Sequence, residues 1–176
     1  MNNMYLFRKA EISDAEPIVQ LVNSAYRGES SRAGWTTEAD MLDGSRISVQ
    51  DVQRLIESEY AIILLCLSGA GLLGTICLEK EHDAIHIGMF AVNPALQGKG
   101  IGKQLLAAAE NLSKQVWVVQ KLQMHVITIR HELIAFYARR GYQRTGILSD
   151  FPVNPLVWQP KLDGLQLETL EKIIRL

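Results

Sequence analysis

The sequence predicts an α+β domain, an α/β sandwich whose mixed, mostly antiparallel sheet is flanked by helices. Two observations indicate this class. Three apolar runs between residues 60 and 92 are separated by short turn signals, which is typical of adjacent antiparallel strands. The amphipathic pattern that starts at Ile101 lies between the last of these runs and a strand-like run over 121–127, so we expect a central βαβ crossing. Because the 176 residues are 48% hydrophobic and contain no linker or repeat, we expect a single domain over 1–176.

The N-terminal part is predicted to be one strand followed by helices. Residues 5–10 alternate in hydrophobicity as a strand does. Cap signals then precede segments whose apolar residues have helical spacing. The helices expected here run from Asp14 to about Tyr26, from Trp35 to Leu42, and from Ser48 to about Glu57.

The remainder alternates between strands and helices. Expected strands cover residues 60–67, 72–79, 86–92, 121–127 and 142–147, with a turn at 68–71, and expected helices begin at Ile101 and at His131, the second ending at Gly141. Residues 153–161 are a candidate partner for the strand before them, although their prolines limit such pairing to sheet edges. The tail from Leu165 has helical spacing, so we expect a last helix that covers a sheet edge or joins two subunits of a homodimer.

The composition excludes several classes of function. The formal net charge of −1 and the scattered basic residues do not suit a nucleic-acid surface or a polybasic membrane patch, so we expect neither partner. The longest apolar run, 61–67, is too short to cross a bilayer, and the N-terminus lacks the pattern of a secretory signal, so we expect a cytoplasmic protein. Cys66 and Cys77 lie in apolar runs and are expected to be buried thiols. The histidines lack the spacing of a zinc site, so no metal is expected.

A glycine-rich segment between a strand and a helix is the strongest functional signal in the chain. Residues 97–102 have the sequence Gln-Gly-Lys-Gly-Ile-Gly, and the alternating glycines leave backbone N–H groups uncovered by side chains. The helix that starts at Ile101 contributes N–H groups without internal partners and the positive end of its dipole. Such a segment suits a phosphate or a pyrophosphate.

Two common phosphate-binding loops do not fit these residues. A Walker A loop requires glycine at the position of Gln97 and serine or threonine at the position of Gln104. A dinucleotide-binding fingerprint has the spacing Gly-x-Gly-x-x-Gly in the first βα unit, whereas Gly98, Gly100 and Gly102 alternate midway along this chain. We therefore expect a phosphate ligand of another class.

The segment resembles the acyl-CoA signature of the GNAT superfamily of N-acetyltransferases, Gln/Arg-x-x-Gly-x-Gly/Ala, which Gln97, Gly100 and Gly102 fill completely. A strand ending in Val-x-Pro before the signature and an amphipathic helix after it also match. The resemblance covers nearly the whole chain and implies the GNAT acyl-CoA N-acyltransferase fold, in which the strands on either side of the central helix splay apart and open a slot for acetyl-CoA. It implies that the cofactor-binding residues are Phe90, Ala91 and Val92 through their backbone, and Gln97, Gly98, Lys99, Gly100, Ile101, Gly102 and Lys103 at the pyrophosphate.

The resemblance also implies groups that would carry out acetyl transfer. The segment from Arg130 to Tyr142 is similar to a second GNAT hallmark, a helix with a tyrosine shortly before Gly-Phe/Tyr, and this makes Tyr137 the expected acid for the departing thiolate. A phenol with a pKa of about 10 is suitably matched to a thiol with a pKa of about 8.5. Backbone N–H groups near Met89 to Ala91 are expected to stabilise the oxyanion. Many relatives have asparagine at the position of Arg130, so the contact made by that asparagine is replaced here, and Arg130 is a candidate to meet a phosphate.

The identity of the general base stays open between several groups. His86 lies on the strand before the glycine loop, where several relatives carry a glutamate that deprotonates the amine, and its ordinary pKa is close to neutrality. A histidine on an apolar strand can equally be a packing residue. Glu79, Glu81 or an ordered water are alternative bases.

The expected reaction moves the acetyl group of acetyl-CoA to a primary amine of a small metabolite, by direct attack in a ternary complex. In the GNAT fold the helices after the first strand form one wall of the acceptor groove, so Trp35, Glu38 and Asp40 are candidates to offer an apolar wall and a carboxylate to a cationic amine. Tyr26, Phe151 and Trp158 are further candidates, and packed aromatics with exposed acids are the alternative interpretation. Two other functions stay open, a non-catalytic acyl-CoA-binding regulatory domain and an unrelated nucleotide-binding module.

Overall fold

A computed structural model of the protein describes residues 5–69 and 71–174. The predicted turn over 68–71, the predicted tail helix and the start of the chain, where a secretory signal would lie, each include residues outside this range. The helices and strands are β1 (Leu6–Lys9), α1 (Ala15–Tyr26), β2 (Leu42–Gly44), α2 (Val49–Glu57), β3 (Ala61–Ser68), β4 (Gly71–Glu81), β5 (Ala84–Val92), α3 (Ile101–Val116), β6 (Lys121–Ile127), α4 (His131–Ala138), β7 (Gln143–Asp150), β8 (Trp158–Pro160) and β9 (Gln166–Ile173).

Seven strands form one mixed sheet in the order β1-β3-β4-β5-β6-β9-β7. The strands β3, β4 and β5 are consecutive antiparallel neighbours, and β6 lies parallel to β5 after the α3 crossing. At one edge β1 pairs with β3, and at the other edge β7 pairs with β9. The α+β class with a central βαβ crossing is therefore confirmed.

Two apolar clusters cover the two faces of this sheet, because successive residues of a strand point to opposite faces. On β3, Leu64 and Cys66 pack in the cluster that contains α3, whereas Ile63 and Leu65 pack in the cluster that contains α1. A strand buried on both faces has a continuous apolar sequence, as β3 does. Both cysteines are buried free thiols, as expected, and Cys77 packs on the α1 face.

Over the described residues of the tail the predicted helix is wrong, because Gln166–Ile173 form the strand β9. It lies between β6 and β7 and pairs antiparallel with both. Leu167 and Leu170 have helical spacing, but β9 is an inner strand whose partners come from distant parts of the sequence, and such pairing overrides local periodicity. A homodimer stays a prediction, without the helix on which that expectation rested.

Two further predictions at the sheet periphery are also wrong. Residues 35–42 form turns that lead into β2 instead of a helix. The N–H groups of Trp35 and Thr36 both donate to Oε1 of Gln97, at 2.8 and 3.3 Å, so tertiary partners replace the first turn of a short helix that is costly to nucleate. Residues 153–161 contribute β8, which pairs with β2 in a separate two-stranded sheet and not with β7.

Two structural features bear on membrane and metal binding. Among residues 5–69 and 71–174, no helix is both long enough and apolar enough to cross a bilayer. In the same ranges, no group of three or more His, Cys, Asp and Glu side chains is placed to hold a metal ion.

Candidate active site

The strands on either side of α3 separate after their first few residues. Strands β5 and β6 pair only where Ala84–His86 meets Lys121–Gln123. Beyond His86 no strand of the described chain pairs with the β6 side of β5, so the backbone of β5 faces a gap in the sheet. In this stretch β5 bulges, since Met89 and Phe90 together lie opposite one residue of β4, and Met89 has a φ of 47°. The gap has the form of the slot that the resemblance implies.

The glycine loop and the start of α3 lie at one end of this gap. Gly98 and Gly100 have left-handed backbone, with φ of 81° and 82°, and no atom lies within 4 Å of the Cβ position at either residue. Side chains there would be strained and would project into open space in front of the helix N-terminus. A Cβ at Gly102 would lie 3.5 Å from the ring of Phe90 and would narrow the gap. The N–H groups at the start of α3 therefore stay accessible to a ligand.

A first cavity of about 320 Å³ extends from the glycine loop to α4. Much of its wall is apolar and aromatic, and three cationic side chains, Lys103, Arg139 and Arg140, also line it. The guanidinium of Arg140 lies 3.5 Å from the ring centroid of Phe136 and donates to the Phe136 carbonyl at 2.6 Å, which fixes its direction. An apolar wall suits a pantetheine arm, and cations beside a helix N-terminus suit phosphates, so these residues fit acetyl-CoA.

Most of the predicted cofactor-binding residues line this first cavity, and three do not. Those that line it are Phe90, Val92, Gln97, Gly98, Gly100, Ile101, Gly102 and Lys103. Ala91 is buried in the cluster with α1, and Lys99 is exposed. Arg130 lines a different cavity, so its predicted contact with a phosphate has no support in the structure. Sequence reasoning missed Arg139 and Arg140. Two adjacent arginines at the end of α4, within the segment that matches the second GNAT hallmark, are a signal from which cationic lining residues could have been predicted.

Gln97 holds a neighbouring loop through its side chain. Its Oε1 accepts from the N–H groups of Trp35 and Thr36, and its Nε2 donates to Oγ1 of Thr36 at 2.8 Å and to the carbonyl of Val92 at 3.1 Å. A Cβ at Gly34 would lie 2.5 Å from this Oε1, so a larger residue there would displace the Gln97 amide from its partners. By these bonds Gln97 positions Trp35, one of the predicted acceptor residues, in the wall of the first cavity.

A second cavity of about 380 Å³ adjoins the first. The two cavities share four lining residues, Tyr26, Phe90, Leu133 and Tyr137. The hydroxyl of Tyr26 donates to the carbonyl of Phe90, on the bulged part of β5. Phe151 and Trp158, proposed from the sequence as acceptor residues, also line this second cavity. The two cavities are therefore adjacent at the wall that contains Phe90 and Tyr137.

Tyr137 lies at this shared wall and is almost completely buried, with 5% of its surface exposed. Burial raises the pKa of its hydroxyl well above the ordinary value, and the neighbouring Tyr26 adds to the effect. The hydroxyl makes no hydrogen bond within the described part of the chain. Tyr137 is thus a protonated phenol that is free to donate to a ligand.

His86 lies on β5 and lines the second cavity, with its ring centroid 4.9 Å from that of His125. Burial lowers the pKa of His86, and the neighbouring His125 lowers it further. The imidazole is therefore neutral near pH 7 and able to accept a proton. Among the alternative bases, Glu79 also lines this cavity, and burial followed by the charge of Glu81 raises its pKa.

The acidic residues expected to receive a cationic amine are already engaged. Glu38 is 3% exposed, and its carboxylate accepts hydrogen bonds from Arg27 and, at 3.0 Å, from Arg130. Asp40 is exposed, pairs with Arg32 at 2.7 Å, and does not line the second cavity. The structure therefore corrects the expectation that these carboxylates bind the amine, because one is saturated by arginines and the other lies outside the cavity.

Comparisons with known proteins agree with this geometry. The model of the acetyltransferase (GNAT) family matches residues 18–142. The S-alkylcysteine N-acetyltransferase of Bacillus subtilis (strain 168) is 26% identical over 148 residues, which are 78% of each chain. The PaiA N-acetyltransferase of Thermoplasma acidophilum, solved in complex with coenzyme A, has a TM-score of 0.68 at 18% identity over 97% of this chain and 99% of its own. The spermidine/spermine N-acetyltransferase SpeG of Vibrio cholerae has a TM-score of 0.69 at 17% identity, over 98% of this chain and 94% of its own.

The fold is that of solved N-acetyltransferases, one of them in complex with coenzyme A. Since the family model matches more than half of the chain, the protein belongs to the acetyltransferase (GNAT) family. It is an acetyl-CoA-dependent acetyltransferase, and the resemblance found in the sequence is confirmed.

Proposed function

We propose that this protein acetylates the primary amine of a small metabolite, with acetyl-CoA in the first cavity and the amine in the second. The observation that carries the proposal is the wall that both cavities share, which contains Tyr137 and the bulged strand residue Phe90. Direct attack in a ternary complex requires such a meeting point, because both substrates must be bound at once. The names of the relatives agree with amine acceptors, since they include an S-alkylcysteine and a spermidine/spermine acetyltransferase.

Each proposed role follows from the environment of the residue. Lys103, Arg139 and Arg140, with the amides at the start of α3, hold the phosphates of the coenzyme, which supplies the activated acetyl group. Backbone N–H groups at the β5 bulge stabilise the oxyanion. Tyr137 keeps its proton because of burial, and it gives that proton to the sulfur of the departing thiolate. His86 accepts the proton of the amine, directly or through a water.

The test is to measure thiol release from acetyl-CoA by the purified protein with a panel of primary amines. We expect release that depends on the amine, with equal amounts of acetylated product by mass spectrometry. Saturable binding of acetyl-CoA without release for any amine would refute the catalytic proposal and favour the regulatory acyl-CoA-binding domain. A larger rise in melting temperature with ATP than with acetyl-CoA at equal concentration would favour a nucleotide-binding module.

A further inference from the structure

Three arginines surround a single carboxylate in the second cavity. Arg27, Arg46 and Arg130 all line it, and Glu38 lies between them. The side chains of Arg27 and Arg130 are 7% and 8% exposed, so their charges are screened little by water. One carboxylate offsets one of three guanidinium charges. Glu79 is the other acid among the described lining residues, so three guanidinium groups stand against two carboxylates and the lining keeps an excess of positive charge.

Arg46 is the arginine that is available to a ligand. Its Nη1 lies 3.7 Å from Oε2 of Glu38, which is beyond hydrogen-bond distance, and its guanidinium makes no hydrogen bond to any described residue. It lies 4.3 Å from the ring centroid of Tyr26, which in turn donates to the carbonyl of Phe90. The guanidinium thus lies over an aromatic ring beside the wall that the two cavities share, and its N–H donors make no hydrogen bond to the described residues.

A second observation indicates a missing hydrogen-bond acceptor in the same arginine cluster. The buried Nε of Arg27 has no hydrogen-bond partner in the described structure. An unpaired buried donor on a charged group is costly, and a ligand or a water that accepts from it removes that cost. Within the described residues, the cluster therefore has more donors than acceptors, since the Nε of Arg27 and the guanidinium of Arg46 have no hydrogen-bond partner. The cavity beside it, of about 380 Å³, is large enough for a small molecule.

We propose that the acceptor amine carries a carboxylate close to its amino group, and that Arg46 binds this carboxylate. The planar fork of arginine donates two parallel N–H···O bonds to a carboxylate, which would fix the acceptor with its amine toward Phe90 and Tyr137. An acceptor with additional positive charges would instead be repelled by the excess of arginine in the cavity. This inference rests on the proposed function and narrows the acceptor to amino-acid-like amines.

The first test compares matched acceptors that differ only in the carboxylate. Methionine, S-benzylcysteine and phenylalanine are each assayed against the corresponding carboxamide, and spermidine is assayed alongside them. We expect kcat/KM for at least one acid to exceed that of its amide by about tenfold or more, which is the value of one charge-assisted pair. Preference for the amides or for spermidine would overturn the inference while leaving an acetyltransferase of amines intact.

Variants of Arg46 locate the recognition. Arg46→Gln should abolish the preference for the acid over the amide, because it should raise KM for the acid far more than KM for the amide. Arg46→Lys keeps the charge without the fork, so it should retain part of the preference. The matched control is Arg54→Gln on α2, which removes the same charge from a side chain that is 75% exposed and outside the cavity lining. A preference that survives Arg46→Gln would refute the role of Arg46.

An equilibrium measurement keeps the inference testable without turnover. With the protein saturated by coenzyme A, N-acetylmethionine should raise the melting temperature more than N-acetylmethioninamide does, and Arg46→Gln should remove this difference. Equal shifts with the two compounds would overturn the carboxylate site. A difference in these shifts without thiol release for any amine would instead contradict the proposed function while supporting the anion site.

Discussion

The substitution Gly100→Asp tests whether the glycine loop binds the phosphates of acetyl-CoA. Because no atom lies within 4 Å of the Cβ position at Gly100, the new side chain needs no rearrangement of the protein and projects in front of α3. Aspartate tolerates the left-handed backbone found there better than most residues do. A carboxylate about 5 Å from one phosphate charge costs about 3 kcal/mol at an effective dielectric constant of 20. Such a cost lowers the affinity for acetyl-CoA by about 100-fold.

Gly100→Asn is the matched control, since it has the same shape and the same backbone requirement without the charge. We expect the asparagine variant to bind acetyl-CoA within about tenfold of the parent protein, and the aspartate variant to bind far more weakly. Titration calorimetry at two salt concentrations measures both variants, and the gap between them should shrink at higher salt. Without ligand, the aspartate variant should melt no lower than the asparagine variant, because a negative charge is favourable at a helix N-terminus. Equal affinities for the two variants would refute a phosphate site at this loop.

Three further substitutions test the remaining roles. Tyr137→Phe should lower kcat by about 100-fold with an unchanged dissociation constant for acetyl-CoA, whereas equal losses in both would indicate a binding role. Burial and His125 lower the pKa of His86, so the loss of kcat/KM on acidification should have its midpoint below the ordinary histidine pKa of about 6.5. This loss should disappear in His86→Asn. A pH profile that the substitution leaves unaltered would make His86 a packing residue. Gln97→Ala should reduce the free energy of unfolding in urea by about 1–3 kcal/mol and weaken acetyl-CoA binding, whereas the exposed Lys99→Ala should do neither.

Local signals in the sequence were sufficient to predict the glycine loop and its place between a strand and a helix. The glycine loop, the strand before it and the helix after it are contiguous, so their spacing is visible in the sequence itself. The left-handed backbone at Gly98 and Gly100 is the physical reason for the alternating glycines. The central βαβ crossing could be predicted for the same reason, because both of its strands flank the helix directly in the chain.

The lining of the second cavity could not be predicted because its residues meet only through tertiary structure. Glu38 was expected to offer a free carboxylate, yet its partners come from the end of α1, from the segment before α2 and from the start of α4. No local pattern reveals a pairing between positions as far apart as 38 and 130. The strand β9 was missed for the same reason, because its backbone hydrogen bonds are made with β6 and β7, which lie elsewhere in the sequence.

The contrast between a contiguous glycine loop and a dispersed second cavity explains why the sequence reveals the family, whereas the acceptor must be inferred from individual side chains. The match to the family model ends at residue 142, but Phe151, Trp158 and Leu167 beyond it also line the second cavity. A spermidine/spermine acetyltransferase shares the fold with a TM-score of 0.69 at 17% identity, and a common fold does not carry a common acceptor. The arginine excess around Glu38 opposes a polycation and favours a carboxylate, so the charge of the second cavity discriminates among the acceptors that the fold permits.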